Sequence, residues 1–303
     1  MNYYLISQKP KLTIGIPIYN GEKFVRNRLD NILSQTFQDF QIIIYDNSND
    51  STPLICNEYV NRDNRITYIH EKIRPGWIQG WIFLIKKSSS KYFVMASVDD
   101  LWSLNFLEEN VNELETHSSC VASIGEIKIT ENSKQSDTSK DNFRTNLFKK
   151  LQQKFTHSFL EFFEAKGSFE EKADKILKNT WYRHHNGIIR TDEFKKSILE
   201  KDMFLWDWAI ILNLIKFGDL HMTRKSSYFV YTGETMSRKG MFQMFKAQKV
   251  RKNEYFFPAS TFTFWCIKNV GVKFFLKNID YFIWLNFIHI VGILLAVYHK
   301  LVN

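Results

Sequence analysis

The sequence contains no glycine-rich phosphate loop: neither GxGxxG nor GxxxxGKS/T occurs in its 303 residues. That argues against a dinucleotide-binding or P-loop protein, since both cradle phosphates with glycine backbone. Cysteine is scarce. Cys56, Cys120 and Cys266 lie far apart with no CxxC or Cys/His ligand spacing, which leaves no zinc motif and no disulfide framework and points to a reducing compartment. The N-terminus lacks a basic region followed by an apolar core and a small-residue cleavage site, so secretion by that route is not expected. No RNA- or DNA-recognition motif is present either.

What is present is enough apolar residue, 44%, for a sizeable core, expected as one domain with an appendage. The net charge of +9 suits an anionic partner, whether a phosphorylated ligand, an acidic membrane surface or a nucleic acid. Residues 11–19 (KLTIGIPIY), 40–45 (FQIIIY), 66–70 and 92–96 read as strands. Residues 22–35, 53–61 and 76–87 between them carry helical spacing. Strands joined by helices cross over right-handed into a parallel sheet, and this brings Pro17 to Asn20, Asp46 and the pair Asp99-Asp100 to one carboxyl edge.

Two carboxylates at a buried strand end suit a hard cation held through oxygen, although Asp100 also reads as the N-cap of a helix from Leu101 or Ser103 to Leu114. Asp46 suits a ribose hydroxyl or a base N–H; an Asx turn closing the strand explains it equally well.

Pro17, Tyr19, Asn20, Gly21 and Glu22, then Leu29, Ile32, Gln35 and Thr36, residues 40–46 with Asp50-Ser51, and the spacing to Asp99-Asp100 together resemble the opening of family 2 glycosyltransferases. Trp206-Asp207-Trp208, followed by Leu212, Gly218 and a strand to Tyr231, resembles that family's later acidic motif. The resemblance implies an α/β GT-A fold: a Rossmann-like, mostly parallel sheet flanked by helices, here with a helical, apolar C-terminal appendage. It implies metal-dependent transfer of a sugar from a nucleotide-diphosphate sugar to a hydroxyl acceptor. Pro17, Tyr19, Asn20 and Asp46 line the nucleotide pocket in that reading, Asp99 binds Mn²⁺ or Mg²⁺, and Asp100 stands beside it near the donor. The family has an acidic residue two positions before the metal ligand. Here that place is Ser97, which supplies no charge and leaves a water-bridged contact and an altered metal preference open.

The chemistry agrees. A divalent ion neutralises a diphosphate leaving group, and the acceptor hydroxyl needs a carboxylate to take its proton. Asp207 is the candidate base, with Trp206 and Trp208 to desolvate it; the bland alternative makes it the cap of a helix over 209–217.

Residues 130–142 are polar and read as a mobile loop, and 143–178 as two amphipathic helices on the acceptor side. His184 and His185 fall in a loop that could meet phosphate or acceptor. In 241–303 eight Lys or Arg stand against two acidic residues, beside an apolar run over 281–298. That tail reads as lying on, or dipping into, an anionic bilayer; an apolar helix pair packed on the catalytic domain, or in a dimer, is the alternative.

The expectation is therefore a GT-A catalytic domain over 1–240 (donor half 10–115, acceptor half 130–240) and a membrane-associating tail over 241–303. The enzyme is an inverting glycosyltransferase at the cytoplasmic face of a membrane, favouring a UDP-sugar, with a glycan or lipid-linked acceptor and no nucleic acid. A catalytically inactive sugar-nucleotide-binding or scaffold protein of the same fold is the alternative that Ser97 keeps open.

Overall fold

The computed structural model describes residues 9–72, 76–130, 163–178, 184–231, 254, 257, 259–287 and 290–291. Its first half alternates strand and helix: β1 (Leu12–Ile18), α1 (Val25–Leu33), β2 (Phe40–Asp46), α2 (Thr52–Val60), β3 (Ile66–His70), α3 (Trp77–Lys87) and β4 (Tyr92–Met95). β1, β2 and β4 are buried along nearly their whole length, which is why they read as unbroken β-branched and aromatic runs rather than alternating ones. β1 lies between β2 and β4, parallel to both, and β3 adds a further parallel strand beyond β2.

The second half runs β5 (Leu101–Trp102), α4 (Phe106–Thr116), β6 (Cys120–Thr130), α5 (Phe169–Lys178), a 3₁₀ turn at His184–Asn186, β7 (Ile188–Arg190), α6 (Thr191–Ser197), α7 (Trp206–Leu214) and β8 (Asp219–Tyr231). The eight strands form one sheet in the order β3-β2-β1-β4-β7-β6-β8-β5. β7 is antiparallel to β4 and β6, β8 is parallel to β6, and β5 is antiparallel to β8.

Two boundaries differ from the sequence reading. The helix expected from Leu101 or Ser103 begins at Phe106, because Leu101 and Trp102 pair with Phe229 and Tyr228. The helix expected over 209–217 begins at Trp206, so Asp207 lies in its first turn and Leu205 occupies the cap position. The loop at 131–142 and the first of the two acceptor-side helices lie outside the described residues, as do Tyr182 and Arg183.

The C-terminal part comprises α8 (Ser260–Asn269), α9 (Val272–Lys277) and helical residues 279–287. Phe262 meets Trp208 edge-on at 6.0 Å, and Tyr281 stacks on Trp208 at 6.5 Å. With Cys266, Phe274 and Phe282 these side chains are buried, so one face of the appendage packs on α7. Among the described residues no helix is long and apolar enough to cross a membrane. Of the apolar run over 281–298, residues 288–289 and 292–298 lie outside the description.

Candidate functional site

The carboxyl ends of β1, β2 and β4 open into a cleft of about 220 Å³. Pro17, Ile18 and Tyr19 come from the end of β1, Tyr45 and Asn47 from β2 and its loop, Gly76, Trp77, Gly80 and Trp81 from the start of α3, and Ser97, Val98 and Asp99 from the segment after β4. Gly76, at φ 105°, turns the chain into α3 in a conformation that a side chain would strain.

The loops after β1 and β2 are laced together. Asn20 sits in the left-handed region at φ 52°; its N–H donates to Ser48 Oγ (2.7 Å) and its Oδ1 accepts from Asn49 N–H (3.0 Å). Gly21 N–H donates to Thr52 Oγ1 at 2.9 Å, and Glu22 Oε2 accepts from Ser51 N–H at 3.1 Å. Asn20 is therefore a fastener of the rim rather than a wall of the cleft. Asp46 is also placed differently from the expected ribose or base contact: it is fully buried, and its carboxylate accepts from Ser48 N–H (2.9 Å) and Tyr68 Oη–H (2.7 Å), with His70 Nδ1 at 3.3 Å. The Asx-turn alternative describes it.

Asp99 and Asp100 part company, as adjacent side chains at a strand end do. Asp99 is half-buried and lines the cleft. Asp100 points inward, accepting from Tyr228 Oη–H at 2.7 Å and Tyr231 N–H at 2.9 Å, which ties the segment after β4 to β8. It neither stands in the cleft nor caps α4. Beneath the pair lies Arg28 on α1, fully buried, its guanidinium 3.8 Å over the Trp102 ring and donating to Asn31 Oδ1 at 3.1 Å. Burial pushes Arg28 down to about 10, opposed by the charges of Tyr228, Asp100 and Asp99, so at neutral pH it remains a cation behind the two carboxylates.

Trp77 and Trp81 of the lining pack edge to face with each other and with buried Trp206, with ring centres 5.8, 6.0 and 6.3 Å apart. Trp206 donates from Nε1 to Leu199 O at 3.0 Å. Through Trp206 the first turn of α7 packs behind Trp77 and Trp81, while half-buried Asp207 is not among the residues that line the cleft. Leu205, just before it, adopts φ 62°. His185 lies against Trp81, ring centres 5.8 Å apart, while His184 is fully buried and cannot meet a ligand in the cleft.

Among the described residues Asp99 is the one carboxylate in the cleft lining, which Ser97 shares, and no group of three His, Cys, Asp or Glu could hold a metal. That donor set does not make a protein cage. It does fit an ion of the Mg²⁺ type, which keeps several waters and binds through one or two carboxylates plus substrate phosphates.

The model of Glycosyl transferase family 2 matches residues 13–177, more than half of the chain. The protein belongs to family 2 of the glycosyltransferases. Glycosyltransferase GlyG of Streptococcus pneumoniae serotype 4 is 30% identical over 98 residues, 32% of this chain and 33% of that protein. The minor teichoic acid biosynthesis protein GgaB of Bacillus subtilis is 32% identical over 114 residues, 34% of this chain and 13% of that protein. The match thus spans a third or less of either relative. In fold, this family 2 member resembles residues 1–349 of S. aureus TarS, solved in complex with UDP-GlcNAc, at a TM-score of 0.56 and 15% identity over 78% of this chain and 64% of that one. The fold is GT-A.

For this family 2 chain the sequence reading assigned Pro17, Tyr19, Asn20, Asp46, Ser97, Asp99 and Asp100 to the donor site; Pro17, Tyr19, Ser97 and Asp99 stand in the cleft lining, and Asn20, Asp46 and Asp100 do not. It missed Asn47, Trp77 and Trp81, and the buried Arg28. The available signal was Trp77 and Trp81 at i and i+4, one helical face at the entrance to α3.

Proposed function

We propose that the protein transfers a sugar from a nucleotide-diphosphate sugar, with a UDP-sugar favoured, to a hydroxyl of a growing cell-surface polysaccharide, glycolipid or glycoprotein glycan, with inversion. The observation that carries this is the cleft of a family 2 chain in which one carboxylate, Asp99, faces two indoles across the ends of parallel strands. Trp77 and Trp81 offer apolar faces on which a base or sugar ring can lie. Asn47, whose Nδ2 is held by Glu71 O at 2.9 Å, places a polar amide in the lining beside them. Asp99, with Ser97, holds the divalent ion, which when bound neutralises charge on the departing diphosphate. Asp207, in the first turn of α7, takes the acceptor proton, and the Trp206 indole fixed between Trp77 and Trp81 orients that turn. UDP-GlcNAc in the TarS complex and teichoic acid synthesis in the GgaB name support the donor and acceptor classes.

The test is a panel of nucleotide sugars with and without Mn²⁺, read as melting temperature and as sugar transfer or donor hydrolysis. A ligand at one hundred times its Kd stabilises by about 2.7 kcal/mol. One nucleotide class should stabilise the protein more with metal, and Asp99→Asn should remove the metal-dependent part, read against the unliganded melt of the variant itself. Stabilisation without turnover favours the inactive sugar-nucleotide-binding protein, a reading that the single cleft carboxylate supports. No stabilisation by any nucleotide sugar overturns both.

A further inference from the structure

Of the eleven large apolar side chains exposed among the described residues, seven lie between 257 and 287. That concentration separates the appendage from the catalytic sheet, where exposed apolar side chains are scattered singly and need no explanation. Five of the seven form one line: Val272, Leu276, Ile279, Ile283 and Phe287, between 43% and 66% exposed. Their spacing of 4, 3, 4 and 4 residues follows a helix face carried by two helical segments, which meet at Asn278 (φ −116°, ψ 26°), where Asn278 N–H donates to Phe274 O (3.2 Å) and Phe282 N–H to Asn278 O (3.1 Å). The opposite face, Phe274, Asn278, Tyr281, Phe282 and Leu285, is buried. These segments are therefore apolar on two sides, and among the described residues only one side is covered.

The charge beside the open face selects its occupant. Lys273 and Lys277 are exposed on one flank and Lys268 is exposed on α8, against one described acidic residue, Asp280. Lysines of one sign beside the open face favour an anionic surface as its occupant. An anionic bilayer surface attracts each of them by about 1 kcal/mol, close to a fivefold change in binding. A helix with this pattern lies in the headgroup plane.

We infer that the 272–287 helix docks flat on an anionic lipid surface, as at the cytoplasmic face of a membrane, through Val272, Leu276, Ile279, Ile283 and Phe287. The helix does not cross the bilayer: its opposite face holds it to α7, and the catalytic domain is carried on the membrane by an interfacial helix. This inference is independent of the transferase reading, since nothing in the cleft takes part.

The experiment is flotation of the full-length protein with vesicles of phosphatidylcholine alone and of equal parts phosphatidylcholine and phosphatidylglycerol. The parent should float with the second and scarcely with the first. The triple variant Leu276→Ser/Ile279→Ser/Ile283→Ser alters exposed positions only, so its melt and its nucleotide-sugar stabilisation should match the parent while vesicle affinity falls at least about tenfold. Lys273→Gln/Lys277→Gln, which leaves every apolar contact in place, should weaken binding to the anionic vesicles alone, by about tenfold or more. Absence of vesicle binding in the parent, or binding undiminished in both variants, overturns the inference. So does a parental dimer in light scattering that the triple variant dissociates without vesicle binding, which would assign the face to a second copy of the chain.

Discussion

A buried guanidinium is costly unless its charge is answered, and Arg28 is answered by the charges of Asp100 and Asp99 together with the Trp102 ring and Asn31 Oδ1. Replacing it with the apolar Met removes the cation whose charge offsets buried Asp100 and should lower stability in urea denaturation. Arg28→Met/Asp100→Asn should recover part of that loss, with a coupling above about 0.5 kcal/mol in the double-mutant cycle; additive losses would mean that the two charges do not sense one another. Asp207 makes a different demand. In the proposed mechanism Asp207→Asn removes the base without removing bulk and should lower transfer by about two to four orders of magnitude while donor affinity holds. In the first turn of α7 the same change loses a favourable helix-dipole interaction of about 0.3–1 kcal/mol, so a small drop in melting temperature is expected and does not explain a large loss of rate.

At the scale of elements, α7 begins with a residue out of its usual conformation. Leu205 at φ 62° costs about 1–2 kcal/mol relative to a right-handed residue. At an ordinary half-buried position Leu→Val is the milder change and Leu→Gly the harsher; here the order should reverse, since Gly releases the strain and a β-branched side chain adds to it. Chemical denaturation of the two variants decides this. The same helix shows why part of the fold escapes a reading of the chain. β1 to β4 carry their own apolar runs and the helices between them their own stripes, so each is legible locally. α7 is apolar almost all round, which hides its start, and the two-residue strand β5 exists only because Tyr228 and Phe229 pair with it from far along the chain. Site residues divide in the same way. Asp99 and Ser97 are visible because they end a strand, whereas the carboxylates of Asp46 and Asp100 look like ligands until Tyr68, Tyr228 and Tyr231 are brought to them by tertiary structure. Trp77 and Trp81 at i and i+4 are indistinguishable in sequence from a core stripe.

The whole molecule closes around the 3₁₀ turn at His184–Asn186, which packs on β4, β6, β7 and α7. Burial holds the His184 imidazole neutral, pushed down to about 4 from an ordinary value of 6.5. The unfolded chain takes up a proton first as pH falls, so the stability contributed by neutral His184 is complete above pH 6.5 and declines toward pH 4. Its loss should be about 2 kcal/mol at pH 5. Urea midpoints at pH 7 and pH 5 test this, and a variant lacking the imidazole, His184→Gln, should flatten the difference. The sheet also imposes a schedule. The two hydrogen bonds that turn Asp100 inward come from residues 128 and 131 positions later in the chain. At a synthesis rate of about 5–20 residues per second, roughly 7–26 s pass between the emergence of Asp100 and that of Tyr231. Throughout that interval β1 to β4 can already pair, yet the motif at their edge carries two unshielded carboxylates instead of one. A nascent chain paused before residue 231 thus holds a donor half without a finished site, and translation itself sets the earliest moment at which the cleft takes its final charge.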